Sequence, residues 1–291
     1  MSCGNIISVD VEDYYHVEAF ADIVGAAQWD SYPSRVEANT GRVLDLFDEW
    51  GVKGTFFILG WVAERKPGLV RRIAERGHEP ACHSYWHRLV YRLSPREFRE
   101  DTQRAKDCIE QAAGEPIRGY RAPTFSITAK SAWAPEILSE LGFTYDSSVF
   151  PVHHDLYGAP EAPRKPFILE SPSGSLVEYP MTTFRVGNSP NLPVAGGGYL
   201  RLFPFWYTRA GVRRVWKDGL PVISYVHPWE FDPEQPRLPG RLKSRIRHYT
   251  NLKKTAKRLR DLMRMADFGP FRDSRLGGEA QPYRLIQTRT S

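Results

Sequence analysis

Short apolar runs and helix-periodic segments alternate through the first half of the chain, and few architectures accept that order. Asn5–Val11 (NIISVDV) reads as a buried strand that ends in acids. Residues 35–50 follow with apolar side chains at Val36, Val43, Leu44, Phe47 and Trp50, a helical spacing that Gly51 closes. The unit repeats as a strand at 54–59 (GTFFIL), a helix opened by Pro67 and closed by Gly77, and a strand at 78–82. Ser94-Pro95-Arg96-Glu97 marks a further helix start, with a capping serine, a proline suited to the first turn and a glutamate placed to complete a capping box. That helix runs to Gly114; a strand at 117–120 and a helix at 131–141, stopped by Gly142, come next. Repeated strand-then-helix units make a parallel sheet with helices outside it, open or closed into a barrel. Ligands then gather at the carboxyl ends of the strands.

Beyond residue 150 the pattern weakens. Residues 152–198 are rich in Pro and Gly, with two strand-like runs at 167–170 and 176–179. Helical spacing returns at 205–216, and PVISYV (221–226) reads as a final buried strand. After Pro239 a cationic amphipathic helix is expected, with Leu252, Ala256, Leu259 and Met263 on one face, and the residues after it carry no period.

With 291 residues and 41% hydrophobic content the chain can bury a sizeable core, which excludes a disordered state. It contains no apolar stretch of about 18 residues, as a membrane-crossing helix needs. The first apolar run, broken by Asp10, lacks the basic flank and length of a signal peptide, so a cytoplasmic protein is expected. Cys3, Cys82 and Cys108 are scattered without CxxC spacing, which suits a reducing compartment and argues against a cysteine-built zinc site. The net charge of +6 is concentrated: residues 237–264 hold eleven Lys/Arg and one acid, Asp261, leaving the rest of the chain at −4. Such confined basicity argues against a nucleic-acid partner. It leaves a solvated helix face, or contact with an anionic polymer, membrane surface or partner.

Chemistry collects at the strand ends. Asp10, Glu12 and Asp13 crowd three carboxylates into four residues; a dry site needs a cation or a proton to hold them, whereas a surface turn does not. His83 and His87, at i and i+4 on one face of a helical turn, can present imidazole nitrogens to one metal. Two His with one carboxylate and open positions is the ligand set of hydrolytic zinc sites, and it suits other divalent ions. Arg121 in GYRAP is placed to hold a carboxylate ionised. Asp146 follows the Gly142 stop, and His227 ends the last strand, where an imidazole can serve as general acid. Taken singly, each of these has an ordinary structural reading.

Together they form a more specific set. The acid cluster, HSxxH from His83, RxP from Arg121, a late Asp and a late His occur in an order that resembles the polysaccharide deacetylase family, also called the NodB-homology or carbohydrate esterase family 4 group. The phrases SVDVEDYYHVEAF and GHEPACHSYWH and the basic tail look closer still to the deacetylases encoded with exosortase A exopolysaccharide systems, which carry a C-terminal extension of unassigned function. The resemblance implies a distorted (β/α) barrel with fewer than eight regular strands at 1–236 and a basic helical extension at 237–291, packed on or flanking it. It also implies a hydrolase that removes N-acetyl groups from an amino-sugar polysaccharide or oligosaccharide precursor in exopolysaccharide biosynthesis, with zinc, cobalt or another divalent ion as cofactor.

Residue by residue, the resemblance makes His83 and His87 metal ligands and Asp10 the general base. Arg121 becomes the residue that orients this base, His227 the general acid for the leaving amine, and Asp146 the acid that tunes His227. A backbone N–H near Tyr120 or Arg121 is implied for the oxyanion. The carboxylate ligand is open, because the family usually has two adjacent aspartates where this chain has Asp10, Glu12 and Asp13. Strand alternation turns Glu12 to the side of Asp10, whereas Asp13 is shorter and able to turn in from the loop; Asp13 is slightly preferred. Val149 stands where a Trp is usual, so the wall for the acetyl methyl is expected from Val149, Trp229 or Tyr225. Tyr85 and Trp86 are read either as a stacking surface for a sugar ring or as core, and Tyr120 and Pro123 as substrate contacts. The segment 237–264 is expected to touch anionic membrane surfaces. Two alternatives stay open: an amidohydrolase of small cyclic imides or ureides, with or without metal, and a glycan-binding protein without catalysis.

Overall fold

The computed structural model describes residues 4–154, 156–194 and 196–285. In chain order the regular elements are β1 (Asn5–Val11), α1 (Val36–Glu49), β2 (Thr55–Ile58), α2 (Gly60–Arg65), α3 (Pro67–Glu75), β3 (Glu79–Cys82), α4 (Pro95–Ala113), β4 (Gly119–Tyr120), α5 (Ala134–Glu140) and β5 (Tyr145–Asp146). A hairpin of β6 (Phe167–Ser171) and β7 (Gly174–Glu178) follows, then the short pair β8 (Thr183–Phe184) and β9 (Leu192–Pro193), α6 (Gly197–Leu202), α7 (Phe205–Lys217) and β10 (Ile223–Val226). The tail forms α8 (Leu242–Tyr249), α9 (Thr255–Met263), β11 (Phe268–Gly269) and β12 (Gln281–Tyr283).

The sheet runs β10-β1-β2-β3-β4-β5-β7-β6-β12, with β11 added beside β1. Every pair from β10 to β7 is parallel, and only β6 and β7 pair antiparallel within it. Helices cover one face. The path stays open among the described residues but curves strongly, since Arg121 after β4 reaches Asp10 on β1 across two intervening strands. This is the distorted barrel that the strand-then-helix order and the family resemblance led us to expect.

Alternation along each strand sorts the side chains into two layers. On β1, Ile7, Val9 and Val11 face the helices and join the larger core, whereas Ile6 joins a second, aromatic cluster on the concave face with Phe57, Tyr145, Tyr225 and Phe271. Each such fully buried apolar side chain contributes about 1.5–3 kcal/mol. The concave cluster fills the lower barrel, and the polar residues of the same faces, nearer the carboxyl ends, are left to build the site above it. At Gly119 a Cβ would lie 2.0 Å from the Tyr145 ring, so this concave position admits no side chain.

The capping box at Ser94 forms as expected: Glu97 N–H donates to Ser94 Oγ at 3.3 Å, and Ser94 N–H donates to Glu97 Oε2 at 2.8 Å. One expectation for the tail needs correction. The single helix after Pro239 is two helices, broken where Asn251 takes a left-handed conformation at φ 59°. The final residues, without a sequence period, supply β12, which pairs with β6 far away in sequence. No described helix is long and apolar enough to cross a membrane. Cys3 and both ends of the expected domain ranges lie outside the described residues.

Candidate active site

The concave parity of β1 continues past the strand and carries Asp10 and Glu12 to the same side. Arg121, fully buried, donates from Nη1 to Asp10 Oδ1 at 2.7 Å and to Ser8 Oγ at 2.8 Å, and from Nε to the Ser147 carbonyl at 3.1 Å. Its face rests 4.1 Å from the Phe57 ring centroid. A buried ion pair costs desolvation, so its return is geometry: one Asp10 oxygen is locked, and the other points toward His227 Nε2 at 3.9 Å.

His83 and His87 lie in a loop and not on a helical turn, contrary to the sequence expectation. Ser84 and His87 both adopt left-handed backbone conformations, at φ 61° and 52°. Such strain, about 1–3 kcal/mol per residue, persists only where surrounding bonds over-determine it. Here Gly60 N–H donates to the Ser84 carbonyl at 2.9 Å, and Tyr85 N–H donates to Asp101 at 2.7 Å. His83 Nδ1 sits 2.8 Å from the Arg121 carbonyl; a carbonyl only accepts, so Nδ1 carries the proton and Nε2 keeps its lone pair. Burial pushes His83 down to about 4, which keeps the ring neutral.

Glu12, His83 and His87 each place a ligand atom within 4.8 Å of the others, and all three are buried. His87 Nε2 approaches Glu12 Oε2 at 2.9 Å, and His227 Nε2 approaches Glu12 Oε1 at 3.3 Å. Burial raises the Glu12 carboxyl, but His87, then His227 and His83, outweigh it and hold the group well below the usual carboxylate range. A buried carboxylate and two imidazoles whose ring nitrogens converge on it fit a divalent cation with open positions.

Asp13, the slightly preferred ligand, does not belong to this cluster. Its Oδ2 accepts from Ser34 Oγ at 2.8 Å, Arg35 N–H at 2.8 Å and Val36 N–H at 3.1 Å, and Oδ1 accepts from Tyr14 N–H at 3.1 Å. The side chain is occupied in capping α1, on the opposite parity from Glu12.

Asp146 needs a second correction. It lies on the outer parity of β5, where it accepts from Ser148 Oγ and faces Glu178, not His227. Burial pushes Asp146 up to about 6, and burial beside Asp146 pushes Glu178 well above the carboxylate range, so the pair retains a proton. Ser148 Oγ in turn accepts from Ala122 N–H at 2.8 Å, which makes Asp146 a buttress of the Arg121 loop.

The acid beside His227 is Glu230, which sequence reasoning missed. His227 Nδ1 lies 3.4 Å from Glu230 Oε2, and Glu230 also accepts from Arg201 Nε at 2.5 Å. Burial lowers a histidine, but the bond and charge of Glu230, followed by Glu12 and Asp10, override it and push His227 up to about 9. The signal was the i,i+3 spacing in HPWE, which returns a glutamate beneath the imidazole.

A cavity of about 310 Å³ opens over these groups, lined by Asp10, Glu12, His83, His87 and His227 together with Trp229, Tyr225, Thr124 and Phe125. Of the expected contacts, Trp229 and Tyr225 face it. Tyr85 does not: it is fully buried, its hydroxyl bonds Glu64 at 2.7 Å, and Arg104 covers its ring. Trp86 packs edge-on against Tyr85 and beside Trp29, Tyr120 turns outward to Ser84, and Val149 and Pro123 are buried away from the cavity. The Arg121 N–H donates to the Cys82 carbonyl at 2.9 Å and the Ala122 N–H to Ser148, so neither is free for an oxyanion.

Residues 23–145 match the family model for polysaccharide deacetylase, and 147–275 match a domain of unknown function, DUF3473. Over residues 23–145 the chain is thus similar to the polysaccharide deacetylase family. It is 33% identical over 98 residues to a peptidoglycan-N-acetylglucosamine deacetylase of Bacillus cereus, covering 33% of this chain and 36% of that one. A chitooligosaccharide deacetylase of Bradyrhizobium sp. is 34% identical over 100 residues, covering 33% of this chain and 46% of the relative. The match therefore spans less than half of either relative's length. A crystal structure of a Mycobacterium smegmatis protein classed as a polysaccharide deacetylase superposes over 92% of both chains with a TM-score of 0.56 at 23% identity, a likeness of fold.

Proposed function

We propose that this protein is a divalent-metal-dependent hydrolase that removes N-acetyl groups from an amino-sugar glycan. The observation that carries the reading is the convergence, in one cavity, of the Glu12–His83–His87 cluster with the Asp10–Arg121 pair and with His227. The named activities of the bacterial relatives on peptidoglycan and chitooligosaccharide support the same chemistry.

A divalent cation held by Glu12, His83 and His87, most simply zinc, supplies Lewis acidity and eases deprotonation of water. Arg121 binds one oxygen of Asp10, so the other takes the proton of the attacking water. His227, held protonated by Glu230, donates to the departing nitrogen, without which an amine anion leaves poorly. Trp229, stacked on His227 with ring centroids 5.1 Å apart, walls the acetyl side together with Tyr225.

Residues 237–291 are, in this reading, an extension of the 1–236 domain, and its helix α8 contributes to the cavity lining. On α8, Leu242 and Ile246 are 70% and 54% exposed among Arg241, Lys243, Arg245 and Arg247, which supports peripheral contact with an anionic membrane where exopolysaccharide precursors are made. The free thiols Cys82 and Cys108 suit a cytoplasmic, reducing location.

The reading is tested by acetate release from N-acetylated chitotetraose, measured with added zinc, after chelation and in His83→Ala/His87→Ala. Release that needs the metal and is lost in the variant is expected. Chelation-resistant turnover of a small cyclic imide, with none on acetylated sugars, would move the assignment to the amidohydrolase alternative. Glycan binding without turnover would move it to the binding protein.

A further inference from the structure

We propose that the same cavity holds a second recognition site, built by Lys243 and Arg247, for an anionic group, carboxylate or phosphate, on the glycan beside the N-acetylated sugar. This rests on the deacetylase reading and adds what else the substrate carries.

Helix α8 comes from the basic tail, yet Lys243, Ser244 and Arg247 line the cavity that contains Asp10, Glu12 and His227. Residues 243 and 247 are four apart and therefore share one helix face. The other charges of the lining are spoken for. Asp10 pairs with Arg121, Glu12 meets His87, Glu18 pairs with Arg92, and Arg201 pairs with Glu230. Among the described residues Lys243 and Arg247 pair with no carboxylate; the electrostatic neighbour of Arg247 is the Tyr157 hydroxyl, also in the lining. Both side chains are exposed, and two unneutralised cations on the lining of a cavity that also holds Glu12, His83 and His87 give it a local positive potential.

Their placement is fixed by the site itself. Buried Arg201 donates to the Arg247 and His248 carbonyls at 3.2 Å each and to the Thr250 carbonyl at 2.7 Å, closing the end of α8, while its Nε holds Glu230 beneath His227. The His248 ring stacks on Trp229 with centroids 4.0 Å apart. The backbone of the helix that presents the cations is thus tied to the residues that hold the proposed acid. An arginine there can meet a carboxylate or phosphate bidentately, with a lysine beside it as a point charge. Arg245, on the same helix but outside the lining, provides a control of equal charge.

Binding to the purified full-length protein decides the matter, read by calorimetry for two matched pairs. One pair is neutral N-acetylated chitotetraose against a hyaluronan tetrasaccharide, in which glucuronate alternates with N-acetylglucosamine. The other is N-acetylglucosamine against its 1-phosphate. The wild type is expected to bind the charged member of at least one pair about 10-fold tighter, the size of one or two charge-assisted bonds, and the pair that responds identifies carboxylate or phosphate. Lys243→Gln/Arg247→Gln should bring that ratio to about 1, and Arg245→Gln should leave it in place. Equal affinity within both pairs, or an equal fall in Arg245→Gln, overturns the proposal. Acetate release is recorded in parallel: binding preference without release from any glycan would break the deacetylase reading while the anion site stood.

Discussion

Two pairs of acids, Asp10 with Glu12 and Asp146 with Glu178, are all buried and belong to one sheet with three strands between them, yet their environments are opposite. The inner pair faces cations and imidazoles: Arg121 on Asp10, and His87 and His227 on Glu12. The outer pair faces hydroxyl and backbone donors and each other, so it keeps a proton. Strand parity makes the difference, because side chains two apart share a face and side chains one apart do not. Burial of an acid is therefore a poor sign of function until the face it occupies is known.

The largest expected effect falls on the inner pair. Asp10→Asn should lower kcat for acetate release about 10³-fold while metal binding is kept; near-normal turnover would remove Asp10 from proton transfer. Glu12→Gln should lower release at least about 100-fold at limiting zinc, with partial recovery at excess metal. Glu230→Gln should cost about 10-fold at pH 8, because His227 loses the partner that pushes it up to about 9, and the basic limb of the pH–rate profile should move to lower pH. Glu230 is itself depressed to about 2, so its stabilising pairing is complete above the ordinary carboxylate range and is lost as pH falls toward 2. The wild type should show this acid-side loss of stability and Glu230→Gln a smaller one, in melting temperatures recorded across that range.

The smallest effect is expected at Asp146. Its carboxyl is raised to about 6, so ionisation in the folded state costs stability as pH climbs from about 4 through 6. Asp146→Asn should flatten that part of the stability curve and leave the basic limb of the activity profile unmoved. A shifted basic limb would return Asp146 to the role of tuning His227.

Much of this was legible in local sequence. The strand-then-helix order and the Ser94 capping box follow from short-range periodicity, which also set Asp10, His83, Arg121 and His227 at or just past strand ends; grouping them as one site came from the family resemblance. Alternation also pointed to Glu12; the preference for Asp13 set a loop argument above the parity of the strand, and the three donors that Asp13 meets at Ser34, Arg35 and Val36 lie more than 20 residues away. The same parity read on β5 would have turned Asp146 outward. Other features had no local signal. The pairing of β12 with β6, the seating of α8 on Arg201 and the arrival of Lys243 and Arg247 at the cavity depend on contacts dozens of residues apart.

The central claim, that Glu12 on the inner face completes the site, is tested most directly by counting metal in purified protein after dialysis against zinc. The wild type and Asp13→Asn should each hold about one ion per chain, the latter with stability lowered by about 1 kcal/mol from the weakened α1 cap, while Glu12→Gln should come through nearly metal-free. Full occupancy in Glu12→Gln together with loss in Asp13→Asn would contradict the account.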